Sequence, residues 1–355
     1  MAAVTLATAA FALPCIAQSF DTSTAREKPV KRKAQRDILG GSVQAAPAPE
    51  PTFQGANLDG VKPATLNESC DEYGAGRKAV CRKACPWDAD PARDDDFARN
   101  CGEIVKAGLK FRSVRFEEGG RPWHLQIGIN PAKPDGPLWF VPHDNEDVAF
   151  DTAIYALTAY GGRLVKVDAK GQRENRGQDP NRNFQVSGAK QCRDQRALSP
   201  VYTRAVMDEW DGIRPLIALH SNKPGGTISI RSKAAGVMAF PGSVAAKTKF
   251  SLFRPDNTLV FLSASSDSDR TKTFRRELNK SGVNVVEERV DRQTNDCSLS
   301  NYAVLTGIEN YFNVEVSSAP KERGSTSEEA QKAIVDLIMQ LPNLNNERAR
   351  KAASY

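Results

Sequence analysis

Three histidines in 355 residues leave few imidazoles for metal or proton chemistry, so each can be weighed separately. The chain also lacks an apolar run long enough to cross a bilayer comfortably; the best is Met1–Ala17, which is short and Ala-rich. A membrane-spanning protein is therefore not expected. Aromatic residues are sparse, at 7%, and none is interleaved with the basic run Arg26–Arg36, which holds six cations and one acid. That run reads as a solvated tail and gives no case for nucleic acid. The pair Cys81 and Cys85 lacks companion histidines at zinc-finger spacing.

Met1–Ala17 ends in Cys-Ile-Ala, a small-residue end of the kind a signal peptidase cuts, though no basic stretch precedes it. Residues 1–18 are thus expected to be a signal peptide and the protein to be exported, periplasmic or secreted. Six cysteines remain beyond it: Cys70, Cys81, Cys85, Cys101, Cys192 and Cys297. An even count suits an oxidising compartment, and Cys192 with Cys297 is the expected bridge inside the main domain. Residues 19–63, rich in charge, Pro and Ala, read as a disordered linker. Residues 64–108 read as a small Cys-rich segment that disulfides would have to hold.

The hydrophobic pattern becomes regular from Leu109, so a catalytic domain is expected over 109–345. Phe111, Val114 and Phe116, then Gly119-Gly120, then Trp123, Leu125, Ile127 and Ile129 predict a hairpin. Strands are expected at 137–141, 164–167, 215–219, 228–230, 259–262, 283–286 and 311–316. Helices are expected at 147–160, 200–210, 271–280, near 300–307 and from Thr326. Alternating strands and helices predict an α/β fold, a mixed open sheet with helices on both faces. Ligands in such folds sit beyond the carboxyl ends of strands. His143 and Glu146 follow the buried run Leu138-Trp139-Phe140-Val141, and His220 follows Leu216–Leu219. A lone His-x-x-Glu also fits an ordinary helix start with acids at the positive dipole end. His124, on the polar side of the hairpin, reads as a surface histidine.

Four segments in order, His143-x-x-Glu146, Asp179-Pro-Asn181-Arg182-Asn183-Phe184, His220-Ser221 and Asn313-Val-Glu315-Val316, resemble the zinc carboxypeptidases of the carboxypeptidase A type, including compact bacterial members and related amidohydrolases. The resemblance covers about residues 110–341. It implies one Zn2+ held by His143, Glu146 and His220, a donor set suited to zinc. It implies Glu315 as general base and Asn181 with Arg182 as clamp for a substrate carboxylate, whose fork geometry a guanidinium matches. Asp179 matches an acid that orients the first ligand histidine, and equally a turn residue before Pro180. Arg173 fits the oxyanion-stabilising arginine through Arg-x-Asn, with Arg176 as its rival. Tyr302 and Tyr311 are both open as an assisting tyrosine. The implied partner is a peptide or N-acyl amino acid with a free carboxylate, and for an exported enzyme cell-wall polymer or other envelope peptides. The short spacing between His143 and Asp179 keeps acylase chemistry open beside carboxypeptidase chemistry. A non-catalytic envelope binding module is the remaining alternative, suggested by the basic tail and the Cys-rich segment.

Overall fold

The computed structural model describes residues 95–186, 199–222, 228–232, 236–263, 268–317 and 326–344. Among them a nine-stranded mixed sheet forms the frame. Its first two strands, β1 (Lys110–Glu118) and β2 (Arg121–Ile129), pair antiparallel across a two-residue turn. Gly119 and Gly120 both have positive φ, at 60° and 71°, as the tight hairpin turn with matching twist demands.

The centre is a parallel block. β3 (Leu138–Val141) lies between β4 (Arg163–Val167) and β5 (Leu216–Asn222), and β5 lies beside β9 (Tyr311–Ser317). All four residues of β3 are buried, as expected for a strand covered on both faces. Burying Trp139 and Phe140 stabilises this block by about 1.5–3 kcal/mol each. β7 (Leu259–Ser263) runs antiparallel to β9; β8 (Asn284–Glu288) is parallel to β7, and the edge strand β6 (Val237–Phe240) is antiparallel to β8.

Helices cover both faces. One core joins α1 (Asp95–Lys106), α2 (Asp147–Tyr160), α5 (Asp269–Lys280) and α7 (Thr326–Met339) to the sheet through Phe97, Ile104, Phe150, Ile154, Phe274 and Ile334. The opposite core holds α3 (Pro200–Met207) and α6 (Leu299–Thr306) through Tyr202, Val206, Leu299 and Ala303. A short helix, α4 (Val244–Lys249), leads into the 3-10 turn Ser251–Phe253. A groove of about 540 Å³, lined among others by Ala246, Phe250, Leu252 and Leu337, contains none of the candidate site residues.

The α/β class and the helices on both faces are as the sequence predicts. Two local readings differ. Ile228 and Ile230, expected as a strand, lie in a turn in which the Ser232 amide donates to the Ser229 carbonyl at 2.9 Å. Two alternating apolar residues are too few to specify a strand, and the edge strand forms instead at Val237–Phe240. Helix α1 falls within the stretch grouped with the Cys-rich segment, yet Phe97 and Ile104 are 1% and 0% exposed and belong to the main core.

Of the cysteines, Cys101 and Cys297 are described; both are buried and disulfide-bonded. The expected Cys192–Cys297 pairing involves Cys192, outside the described residues. The expected signal peptide, linker and most of the Cys-rich segment also lie outside them. No helix among the described residues is long and apolar enough to cross a membrane.

Candidate metal centre

The parallel block brings the candidate groups together. β3 ends at Val141, and its exit turn carries His143 and Glu146 into the start of α2; the Glu146 amide closes that turn on the His143 carbonyl at 3.2 Å. His220 lies near the end of β5, two strands from β4 across β3. Glu315 is its register partner on β9, so the two side chains leave the same face of the sheet. Buried Gln331 of α7 donates to the His220 carbonyl at 2.8 Å and fixes the strand there.

The ligand atoms of His143, Glu146 and His220 all lie within 4.8 Å of one another, and all three residues are buried. His143 Nδ1 is 2.8 Å from Glu146 Oε1 and 3.2 Å from His220 Nδ1, while His220 Nδ1 is 3.5 Å from Glu146 Oε2. Two imidazole nitrogens and one carboxylate oxygen around a point form a three-ligand set with one position to spare, the pattern of a catalytic zinc site. The surroundings fit this use. Asp179 Oδ1 meets His143 Nε2 at 2.8 Å, behind the cluster. A metal on Nδ1 would leave the Nε2 proton donated to Asp179. The Ser221 amide steadies Glu146 Oε2 at 2.8 Å. A divalent ion would therefore be held by His143, Glu146 and His220.

The electrostatics are those of a buried, anion-rich site. Burial alone would lower the His143 pKa, but the Glu146 charge and hydrogen bonds to Asp179 and Glu146 raise it to about 9. Burial opposes ionisation of Glu146 and Asp179, yet the His143 imidazole holds both carboxyls well below the usual range. Glu315 differs: burial raises its carboxyl above the ordinary value, the nearby Glu146 charge adds to this, and His220 and the Asn313 amide, 3.2 Å away, offset only part.

Other predicted residues sort by position. Arg173, half exposed, donates to Glu146 Oε1 at 2.7 Å and approaches Asp179 at 3.7 Å, so it stands at the cluster. Arg176 is exposed and has φ 49°. Asn181 and Arg182 sit in the 3-10 turn Pro180–Arg182, which Asp179 caps by accepting from the Asn181 amide at 2.8 Å. Asn181 Nδ2 is 3.5 Å from His220 Nε2, and its Oδ1 accepts from the Leu299 amide at 3.2 Å. Arg182 is partly exposed, with its Nε 3.5 Å from Asp296. Tyr311 is buried at the far end of β9, bonded to Ser300 at 2.9 Å, while Tyr302 packs against Phe184. His124 is 2.7 Å from Asp168, on the hairpin side of the sheet.

Sequence reasoning passed over two charged groups here. Lys166 is 0% exposed and pairs with Asp144, inside the His143–Glu146 motif. A single cation between Val165 and Val167 was the available signal, the same one that marks Glu315 between Val314 and Val316.

No family model matches the sequence, and no curated protein does. Among solved structures the chain is similar to a candidate metallopeptidase from Shewanella denitrificans, at 13% identity and a TM-score of 0.39, over 69% of this chain and 88% of that one. A second candidate metallopeptidase, from Shewanella baltica, gives 12% and 0.39 over 69% and 91%. A Zn-dependent exopeptidase from Parabacteroides distasonis gives 10% and 0.31 over 69% and 89%. All three likenesses are distant in sequence and in backbone.

Proposed function

We propose that the protein is a metal-dependent hydrolase and that its metal is zinc, one ion per chain. The observation that carries this is the meeting of His143, Glu146 and His220 from two separate strand ends, with buried Glu315 beside them on the next strand. A chain with no use for metal gains nothing from burying two imidazoles and two carboxylates so close together, since each costs desolvation.

More narrowly, we read it as a carboxypeptidase-type enzyme that cleaves an amide next to a free carboxylate. When bound, zinc supplies a Lewis acid that makes water nucleophilic near neutral pH. Glu315 takes the proton from the attacking water and delivers it to the leaving nitrogen; a raised carboxyl pKa suits both halves of that task. Arg173 reaches the cluster from the open side and donates to the oxyanion that develops on the former carbonyl. Asn181 and Arg182, on the turn beside His220, hold the terminal carboxylate.

The test combines zinc content with a substrate panel. One zinc per chain, with cleavage of free-acid peptides and none of their C-terminal amides, is the expected result. Turnover of N-acyl amino acids alone would make it an acylase, and mass spectrometry of treated cell-wall fragments tests envelope peptides. Full zinc loading without hydrolysis of any of these would sink the enzymatic reading and leave a binding module.

A further inference from the structure

The motif residue between the first ligand and the helix, Asp144, has no place in the chemistry above, yet it is 5% exposed and heavily engaged. Its carboxylate takes the Lys166 ammonium on one oxygen. On the other it accepts the backbone amides of Ala169 at 2.9 Å and Gly171 at 2.6 Å. Those amides begin the loop that leaves β4 and carries Arg173. Beyond Arg173 the loop is fastened again, where Asn175 and Gln178 exchange backbone hydrogen bonds at 2.9 and 3.1 Å and Asn175 donates to the Pro122 carbonyl at 2.8 Å. Arg173 is thus half exposed but stands between two anchored points.

Lys166 extends the chain of contacts. Its ammonium lies 3.4 Å from Asp96 of α1 and within 5.3–5.7 Å of the ring centres of Phe150 and Phe97. A buried ammonium needs paired acids, and here one acid comes from α1 and the other from the ligand turn. The three charges tie α1, β4, the ligand turn and the Arg173 loop to one point.

We propose that Asp144, held by Lys166 and Asp96, is a positioning residue: it fixes the turn that presents His143 and Glu146 and the loop that presents Arg173. The activity arm of this inference rests on the hydrolase reading; the metal arm does not. The experiment uses full-length protein carrying the charge-neutral pair Asp144→Asn with Lys166→Met, and reads zinc affinity by chelator competition alongside thermal unfolding. Replacing a buried ion pair by neutral groups need not unfold a protein. The folded double variant is expected to bind zinc at least about tenfold more weakly, the range seen when support behind a ligand is lost. Arg173→Ala is expected to change zinc binding less in that background than in wild type, because the loop that aims Arg173 at Glu146 is already released. Wild-type zinc affinity in the folded double variant, or an undiminished Arg173→Ala effect, overturns the proposal. If the double variant does not fold, Asp96→Asn decides: a zinc site weaker by about two- to fivefold supports the linkage, a smaller share of the same effect, and an unchanged one overturns it. Absence of hydrolysis with zinc affinities shifted as expected would remove the enzyme reading and keep this one.

Discussion

Asp179→Asn separates a positioned ligand from an ordinary histidine. With no ion bound, His143 carries a proton up to about pH 9. Zinc must displace that proton, so the apparent zinc affinity falls as pH drops below about 9. Asp179 favours the proton and the metal alike, since both are cations drawn to the imidazole it backs at 2.8 Å. Removing its charge lowers the His143 pKa by about one to two units, from the worth of one charge-assisted hydrogen bond. It also weakens the bare zinc site by about 10- to 100-fold. Near pH 7 the two effects largely cancel; by pH 9 the proton no longer competes strongly and the deficit emerges. Chelator competition from pH 6.5 to 9 reads this directly. Wild type should gain about tenfold in affinity per pH unit up to about pH 9, and the variant should level off one to two units earlier. A constant wild-type-to-variant ratio over that range, or equal affinities at pH 9, would refute the assignment of Asp179 behind His143.

Glu315→Gln should cut hydrolysis by about 10²- to 10⁴-fold with zinc affinity within about twofold of wild type, because the base is removed and the ligands stay; steady-state rates with metal analysis check it. Arg182→Ala should raise KM for free-acid substrates by about 10- to 100-fold, the loss of a charge-assisted pair, while barely altering any residual turnover of amidated ones. Trp139→Ala should destabilise by about 3–5 kcal/mol in denaturant unfolding, since the indole is fully buried and its N–H donates to the Gly161 carbonyl at 2.8 Å. Gly162→Ala should also destabilise clearly in the same assay: φ is 86°, and an added Cβ would sit 2.1 Å from the Pro137 carbonyl oxygen at the entrance to β3.

The parallel core was legible because strands buried on both faces leave continuous apolar runs such as Leu138–Val141 and Leu216–Leu219. The grouping of His143, Glu146 and His220 was legible because all three lie at or beyond the ends of buried apolar runs. Helix α1 was hidden by its surroundings: its apolar residues Phe97 and Ile104 are separated by charge and follow an Asp-rich stretch, and they acquire meaning only against Phe111 and Phe150. Edge strand β6 was missed because its four residues are all half-buried and give no alternation. The Asp144–Lys166 contact joins residues 22 apart that no periodicity links.

Neighbouring strands in the centre of the sheet are remote along the chain. β3, β5 and β9 supply, in turn, residues near 140, 220 and 315, and β9 seats itself beside β5 only after about 95 intervening residues have been made. A nascent chain emerging from the ribosome carries both imidazoles long before it carries Glu315. Pairings of such long range are slow to close. The centre therefore stays unfinished until residue 315 has been made, and Glu315 is the last of its charged groups to arrive.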